Sequence, residues 1–228
     1  MSTRECALLV MAKAPVPGEA KTRLAPVFTP VGAADLAAAA LLDTLDAVRS
    51  SDVAARVVAL SGDLSAACRS EEILRALDGF VVIPQQGATF ADRLVRAHHD
   101  AAREGFPVLQ IGMDTPQVTG SVLSGAADEL LVDGVEAVLG MATDGGWWAL
   151  GVTDPAAAAV LAHVPMSRAD TGALTREALE RLGLVVGGLP VLADVDTPED
   201  ARAVAGAMDP DARFPQALDR MAREHPTC

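Results

Sequence analysis

The feature that most constrains this chain is an unbroken apolar run, CALLVMA, at residues 6–12. The run shows no polar alternation and is far shorter than the roughly 20 residues needed to span a bilayer. It therefore predicts a strand buried on both faces, which is typical of a parallel sheet covered by helices. We expect residues 6–12 to form the first strand, in the centre of such a sheet.

A loop rich in proline and glycine follows this run and concentrates positive charge. Between residues 13 and 23 three basic residues stand against one acid, a local net charge of +2 in a chain of net charge −13. The basic residues are Lys13, Lys21 and Arg23. Cations on a tight loop beyond a buried strand suit a bound anion, most often phosphate. The alternative is a solvated loop that offsets an acidic surface. A P-loop is excluded, because its two glycines are replaced by Pro15 and Ala20 in front of Lys21.

Downstream, apolar runs alternate with segments of helical periodicity, the pattern of a mostly parallel α/β sheet. Further strands are predicted at residues 56–60, 80–83, 108–112, 135–141, 147–152 and 189–193. Helices are predicted at residues 31–50, 64–77, 89–104, 119–131, 155–163 and 172–182, with another from residue 198. An Asp-Gly pair at 144–145 predicts a hairpin before the sixth strand. Prolines beyond Met208 predict a poorly ordered extension, so we expect one domain at residues 1–208 and a C-terminal extension at 209–228.

Composition excludes several classes of protein. Acidic residues outnumber basic ones by 31 to 18, which argues against a nucleic-acid partner. Three cysteines without metal-ligand spacing indicate reduced thiols in the cytoplasm. Glu5 before the apolar run and Lys13 after it do not fit a signal peptide, so we expect neither a targeting segment nor a membrane partner. The adjacent His98 and His99 would point about 100° apart on a helix, which predicts packing or surface roles rather than a shared metal.

The tripeptide Asp-Thr-Pro occurs twice, each time after a predicted strand, beginning at Asp114 and at Asp196. Threonine at the N-cap and proline at the first helical position are preferred at helix starts, so helix capping accounts for two of the three residues. The aspartates remain unused by capping. Ligands bind at the carboxyl ends of strands in open α/β sheets, and two carboxylates there can hold Mg²⁺ or Mn²⁺ against phosphate oxygens. We therefore expect Asp114 and Asp196 to be metal ligands.

The predicted hairpin carries further candidates. Asp144 has two interpretations, because hairpin turns select Asp-Gly on backbone grounds alone, yet its carboxylate could face a substrate. Trp147 and Trp148 should point to opposite faces of the following strand, so one can pack in the core while the other lines a pocket. The alternative is that both belong to the core.

Five stretches carry a resemblance to a known family: MAKAPVPGEAKTRL, QQGATFADRL, IGMDTP, DGGWWALGV and DVDTPED. In this order they resemble the motifs of the bacterial rSAM/selenodomain-associated transferases, which have a GT-A-like nucleotide-diphospho-sugar transferase fold. The third and fifth are also similar to motifs of sugar nucleotidyltransferases, in which the aspartate matching Asp196 is a metal ligand. The string KTRLAPVF is similar to the opening of phospholactate or phosphoenolpyruvate guanylyltransferases. The resemblance implies a three-layer α/β/α, Rossmann-like fold with a mostly parallel sheet.

The resemblance also implies a function. It points to a metal-dependent glycosyltransferase with a nucleotide-diphospho-sugar donor, a small-molecule acceptor and Mg²⁺ or Mn²⁺ as cofactor. A nucleotidyltransferase that releases pyrophosphate and a non-catalytic nucleotide-binding module are the alternatives. The expected nucleotide-binding residues are Lys13, Pro17, Gly18, Lys21, Arg23, Gln86 and Gly87, and those for the acceptor are Asp144, Gly145, Gly146 and Trp147.

Three of these residues are expected to be catalytic. Lys21 and Arg23 would stabilise the charge that develops on the departing phosphate group. Asp144 would act as a general base or would anchor an acceptor hydroxyl.

Overall fold

The predicted strands assemble into one seven-stranded sheet in a computed structural model of the chain, which describes residues 3–21, 24, 27–102 and 105–224. The strands are β1 (Arg4–Lys13), β2 (Val53–Ser61), β3 (Val81–Pro84), β4 (Val108–Gly112), β5 (Ala137–Ala142), β6 (Trp147–Val152) and β7 (Val186–Leu192). Their order is β3-β2-β1-β4-β6-β5-β7. Within this sheet β6 runs antiparallel to both of its neighbours, and the other pairs are parallel. The predicted mostly parallel α/β sheet is confirmed.

Helices cover both faces of the sheet. They are α1 (Pro30–Ser50), α2 (Ser70–Ala76), α3 (Phe90–Ala101), α4 (Gly120–Leu130), α5 (Thr171–Arg181), α6 (Pro198–Gly206) and α7 (Arg213–Glu224), with 3-10 helices at Leu64–Ala66 and Pro155–His163. The predicted helix at 64–77 is wrong as a single element, because Arg69 has a left-handed backbone (φ 53°) that separates the first 3-10 helix from α2. Within the described residues no helix is long and apolar enough to cross a membrane.

Strand β1 lies inside the sheet, hydrogen-bonded to β2 and β4. Its side chains alternate between two hydrophobic cores. Leu8 and Val10 join the core beneath α1 and α4, whereas Ala7 and Leu9 join the core beneath α3, α5 and the second 3-10 helix. All four side chains are fully buried. This confirms the strand buried on both faces that the first apolar run predicts.

A third hydrophobic cluster lies beyond α1, and it corrects the expectation of a poorly ordered C-terminal extension. Helix α7 buries Phe214 against residues of α1 and α6. The carboxylate of Asp43 accepts a hydrogen bond from the backbone N–H of Phe214, at 2.8 Å. Pro215 does not disrupt the helix, because it lies in the first turn, where backbone N–H groups have no partner within the helix. Proline was therefore a poor guide to disorder here.

The two histidines take the separate roles that the sequence predicts. His98 is fully buried on the inner face of α3, whereas the His99 side chain is 78% exposed. Burial lowers the pKa of His98 to about 4, and the neighbouring Gln110 side chain opposes the shift. His98 is therefore a neutral packing residue at neutral pH.

Candidate functional site

A cavity of about 600 Å³ opens at the carboxyl edge of the sheet, where β1 and β4 end and the antiparallel β6 begins. The predicted site residues that line it are Lys13, Lys21, Asp114, Asp144, Gly146, Trp147 and Asp196. Pro17, Gly18, Gln86, Gly87 and Gly145 do not line it. Arg23 lies outside the described residues. The sequence thus brings residues from four separate segments to one edge of the sheet, as the topology of strand ends predicts.

Lys21 lies between the two aspartates of the repeated tripeptide. Its ammonium nitrogen is 2.9 Å from Asp114 Oδ1 and 3.1 Å from Asp196 Oδ1, and it donates a further hydrogen bond of 2.5 Å to the carbonyl of Val195. Burial on its own lowers the pKa of Lys21, but the two carboxylates outweigh this effect, so the pKa is raised. Lys21 is therefore a charged ammonium held at the point where the two carboxylates converge.

Two hydrogen bonds, one between backbone groups and one from a side chain, fix the relative position of the two strand ends. The N–H of Val195 donates to the carbonyl of Asp114 at 3.0 Å, and Gln117 Nε2 donates to the carbonyl of Ala193 at 2.6 Å. Val195 itself is buried in the third hydrophobic cluster. The spacing between Asp114 and Asp196 is consequently set by main-chain contacts rather than by the side chains alone.

Both lysines of the chain, Lys13 and Lys21, line the cavity. The ammonium of Lys13 donates to the carbonyl of Glu19, at 2.9 Å. Glu19 thus holds one lysine through its backbone. The predicted concentration of cations at this loop is confirmed for the residues that the structure describes.

A fourth aspartate, Asp194, belongs to the site and was missed by sequence reasoning. Burial raises the pKa of Asp194 to about 7, together with repulsion from the carboxylates of Asp114 and Asp144. The signal was present in the string DVDTPED, where Asp194 precedes Asp196 by two residues. Residues two apart on an extended segment can reach the same side, so this aspartate was open to prediction.

The hairpin between β5 and β6 places Asp144 at the cavity mouth. Asp144 Oδ1 accepts a hydrogen bond of 2.8 Å from the backbone N–H of Gly146, the local contact that an Asp-Gly turn selects. Gly145 has φ 88° and packs so closely on the backbone of Ala169 that no side chain fits. The turn role of Asp144 is confirmed; the residue also lines the cavity, and its role towards a substrate stays a prediction.

The two tryptophans lie on opposite faces, as predicted. Trp148 is 2% exposed in the core beneath α1 and donates from Nε1 to the carbonyl of Pro190 at 2.8 Å. Trp147 packs at the border of the core beneath α3 and lines the cavity. The alternative in which both are core residues is wrong.

The two Asp-Thr-Pro copies differ in structure. Thr197 caps α6, with Pro198 at its first position and a reciprocal hydrogen bond from Asp200, as predicted. Thr115 caps no helix, because Pro116 enters a turn and α4 begins later, at Gly120, with Thr119 as its N-cap. The capping prediction is therefore wrong for the first copy.

The segment before α3 departs from the predicted nucleotide contacts. Gln85, rather than Gln86, lines the cavity, and its amide nitrogen bridges the carbonyls of Ala12 and Ala59, both at 2.9 Å. A Cβ at Gly87 would lie 2.7 Å from the backbone nitrogen of Arg93, so the first turn of α3 leaves room for glycine only. Packing thus accounts for Gly87 without a ligand.

The geometry can accommodate a divalent cation. Among the described residues no group of three or more His, Cys, Asp or Glu side chains is arranged to hold a metal ion. Asp114 Oδ1 and Asp196 Oδ1 nevertheless converge on one cation, the Lys21 ammonium. Carboxylate oxygens are the ligands that Mg²⁺ prefers. The donor set fits such an ion if Lys21 moves aside.

Comparison with known proteins was made in sequence and in structure. Residues 44–168, more than half of the chain, match a family described as an uncharacterized protein conserved in bacteria, DUF2064. The matched span includes Asp114 and Asp144. Among curated proteins, no sequence match was found.

Similar folds occur among transferases. A crystal structure of a candidate nucleotide-diphospho-sugar transferase from Desulfovibrio desulfuricans is 26% identical, with a TM-score of 0.81 and coverage of 99% of both chains. A nucleotidyl transferase from Methanothermobacter is 17% identical, with a TM-score of 0.56, covering 96% of this chain and 98% of the other. A CMP:2-keto-3-deoxy-manno-octonic acid synthetase bound to CTP is 12% identical, with a TM-score of 0.57, covering 94% and 99%. The last two likenesses show the fold alone, the GT-A-like architecture that the sequence predicts.

Proposed function

Since this chain belongs to the bacterial family DUF2064, we propose that it is a metal-dependent transferase that takes a nucleotide-diphospho-sugar donor and passes the sugar to a small-molecule acceptor. The observation that carries the proposal is the position of Lys21, held between Asp114 and Asp196 at the carboxyl edge of the sheet. The full-length likeness to a candidate nucleotide-diphospho-sugar transferase supports it.

The donor's diphosphate would lie over Lys13 and Lys21. Each ammonium is held within the cavity by oxygen acceptors that a phosphate oxygen can replace. Hydrogen bonds between charged partners are the stronger class, at about 1.5 to 3 kcal/mol each. We expect Lys21 to leave the aspartates and donate to the phosphates when the nucleotide binds.

Asp114 and Asp196 would then hold a divalent cation. Such a cation, when bound, would offset the negative charge of the diphosphate leaving group. Asp194, beside them and partly protonated near neutral pH, can donate a hydrogen bond or complete the carboxylate set. The described residues thus supply both signs of charge that a nucleoside diphosphate with its metal requires.

Asp144 would serve the acceptor. Its carboxylate faces the cavity from the hairpin, and the turn that carries it is fixed by packing of Gly145 against Ala169. We assign it the role of accepting a proton or a hydrogen bond from the acceptor hydroxyl. Trp147, the first residue of β6, would line the acceptor pocket.

A nucleotidyltransferase is the second candidate. Two lysines in one cavity favour a triphosphate, which has more charge to neutralise than a diphosphate. In that reaction the acceptor oxygen would attack the α-phosphorus and pyrophosphate would leave.

Binding and labelling can test the proposal together. Because Lys13 and Lys21 are the only lysines in the chain, a lysine-specific acylating reagent labels them and the N-terminus alone. A nucleoside diphosphate with Mg²⁺ or Mn²⁺ should protect Lys13, the exposed lysine of the cavity, from the reagent, and EDTA should remove the protection. Unchanged labelling of Lys13 with every nucleoside diphosphate and triphosphate tested would contradict both candidate functions.

A melting-temperature panel separates the two candidates. A ligand at one hundred times its dissociation constant stabilises the folded state by about 2.7 kcal/mol. For a domain of this size that corresponds to roughly 5 to 10 °C. The glycosyltransferase predicts the largest shift with a nucleotide sugar or a nucleoside diphosphate. The nucleotidyltransferase predicts it with a nucleoside triphosphate, followed by pyrophosphate release when an acceptor is added.

A further inference from the structure

Three side chains that line the cavity carry a buried polar atom with no hydrogen-bond partner among the described residues. The atoms are Arg93 Nε, Thr115 Oγ1 and Trp147 Nε1. Buried polar groups in folded proteins are normally paired, so unpaired ones around a cavity indicate that a ligand completes them. Two of the three, Arg93 Nε and Trp147 Nε1, carry only a proton to donate. Their partner must therefore be an acceptor.

Arg93 also brings a positive charge to the cavity. Arg93 lies in the first turn of α3, with its guanidinium carbon 5.8 Å from the centroid of the Phe90 ring. Among the described residues no carboxylate forms an ion pair with it. Arg168, which also lines the cavity, differs in this respect, because both oxygens of Asp170 accept from its guanidinium at 2.9 Å. Arg93 thus presents a cation and a buried donor to the same cavity.

Arg93 and Trp147 belong to one side of the cavity. Trp147 borders the core beneath α3, and Leu94, next to Arg93, is part of that core. Lys21 lies elsewhere, between Asp114 and Asp196, and Ala20 beside it packs into the core beneath α1. The cavity therefore has cations in two separate places, Arg93 on the α3 side and Lys21 between the aspartates.

We propose that the α3 side of the cavity binds an oxyanion, a carboxylate or a phosphate, that belongs to the acceptor substrate. This inference rests on the proposed function, which places the donor's phosphates at Lys13 and Lys21. Arg93 and Trp147 donate to the oxyanion, and Thr115 is available to the acceptor's hydroxyl groups. An acidic acceptor would otherwise be repelled from a site that holds four aspartates, so its recognition requires a cation on this side. The acceptor is therefore an acid rather than a neutral sugar or alcohol.

Three small alcohols of matched size can test this inference without nucleotide or turnover. Glycerol 3-phosphate carries a phosphate, glycerate carries a carboxylate, and glycerol carries neither. Binding of each is measured by calorimetric titration with EDTA present, for the parent protein and for Arg93→Gln, Trp147→Phe and Arg75→Gln. Arg75 is an exposed arginine of α2 and serves as the control for loss of one positive charge.

We expect at least one of the acids to bind and glycerol not to bind. Arg93→Gln should weaken the acid by at least about tenfold, which is the size of one charge-assisted hydrogen bond. Trp147→Phe should weaken it less, and Arg75→Gln should bind like the parent. The tighter of the two acids identifies which oxyanion the site prefers.

Other outcomes overturn the inference. They are failure of both acids to bind the parent, equal binding of glycerol, and unchanged binding by Arg93→Gln. A titration in saturating nucleoside diphosphate and Mg²⁺ gives a further check, because competition between nucleotide and acid would assign Arg93 to the donor. The acid titration needs no nucleotide, so its result is independent of whether the proposed transferase activity is found.

Discussion

The ammonium of Lys21 lies 2.9 Å from the carboxylate of Asp114, a residue 93 positions away in the chain, and 3.1 Å from that of Asp196. The two aspartates leave different strands, and the lysine comes from the loop after a third. The arrangement holds one positive charge at the point where the proposed metal would bind. Lysine and metal cannot both remain there, so each should affect the binding of the other.

Replacement of Lys21 by methionine should separate metal binding from nucleotide binding. Removal of the ammonium takes one competing positive charge away from Asp114 and Asp196, so Mn²⁺ should bind the nucleotide-free variant about tenfold or more tightly than the parent. Nucleotide affinity should fall by about 1.5 to 3 kcal/mol, because a charge-assisted contact to phosphate is lost. Mn²⁺ binding can be followed by electron paramagnetic resonance.

Lys13→Met is the matched control for that experiment. Lys13 contacts a backbone carbonyl rather than a carboxylate, so its removal should weaken nucleotide binding and leave Mn²⁺ affinity unchanged. If Lys21→Met binds Mn²⁺ no better than the parent, the two aspartates do not form the metal site.

Asp114→Asn should abolish the metal-dependent part of nucleotide binding while the protein stays folded. The hydrogen bond between Val195 and Asp114 uses the backbone carbonyl, which the substitution retains. Calorimetric titration with nucleotide, in Mn²⁺ and in EDTA, measures the two parts separately. Asp133→Asn, an exposed aspartate beyond α4, controls for the change in net charge. A variant at Asp114 that keeps the full Mn²⁺ dependence would remove this residue from the metal site.

Burial of His98 predicts a loss of stability in mild acid. The pKa of His98 is lowered to about 4 from an ordinary value near 6.5, so the unfolded chain binds a proton that the folded protein excludes. The stabilisation is complete above about pH 6.5 and is lost as the pH falls towards 4, by up to about 3 kcal/mol. Urea unfolding at pH 7.5 and pH 4.5 should show a smaller loss for His98→Gln than for the parent. Equal losses in the two proteins would mean that His98 is protonated in the folded state.

Phe214→Ala should destabilise the protein by about 3 to 5 kcal/mol, the usual cost of truncating a buried phenylalanine. We also expect weaker nucleotide binding, because the cluster that contains Phe214 holds Leu24 and Val195, which are close in sequence to Lys21 and Asp196. Chemical denaturation and nucleotide titration measure the two effects. Leu182→Ala, at an exposed leucine, should change neither. Normal nucleotide affinity in a destabilised Phe214→Ala would show that the cluster does not position the site.

The strands and the convergence of Asp114 with Asp196 could be predicted from the sequence for physical reasons. A strand covered on both faces has no polar positions, so its run is visible in the sequence, as at residues 6–12. Strand ends in a parallel sheet share one edge, which brings aspartates that are distant in sequence together.

Other features were hidden because they depend on tertiary packing. The same tripeptide caps a helix at Thr197 and not at Thr115, since the length of the following turn decides where the helix starts. Arg93 lies within an ordinary amphipathic helix, and the lack of an ion pair with any described carboxylate is evident only from the folded structure. Phe214 lies in a segment with several prolines, and its burial was not evident from the sequence because its partners lie on α1 and α6.

The packing of α7 has a mechanical consequence. The third cluster joins the loop that carries Lys21 to the strand end that carries Asp196, and it does so outside the sheet, through side chains of α1, α6 and α7. Undocking of the last helix would release both halves of the ion pair while the seven strands stay hydrogen-bonded. Segments with few partners detach at a lower free energy than the whole protein unfolds. The C-terminal helix therefore supports Lys21 and Asp196 from outside the sheet. A partner that stabilises the docked helix would make these two residues more rigid, and one that displaces the helix would make them more mobile.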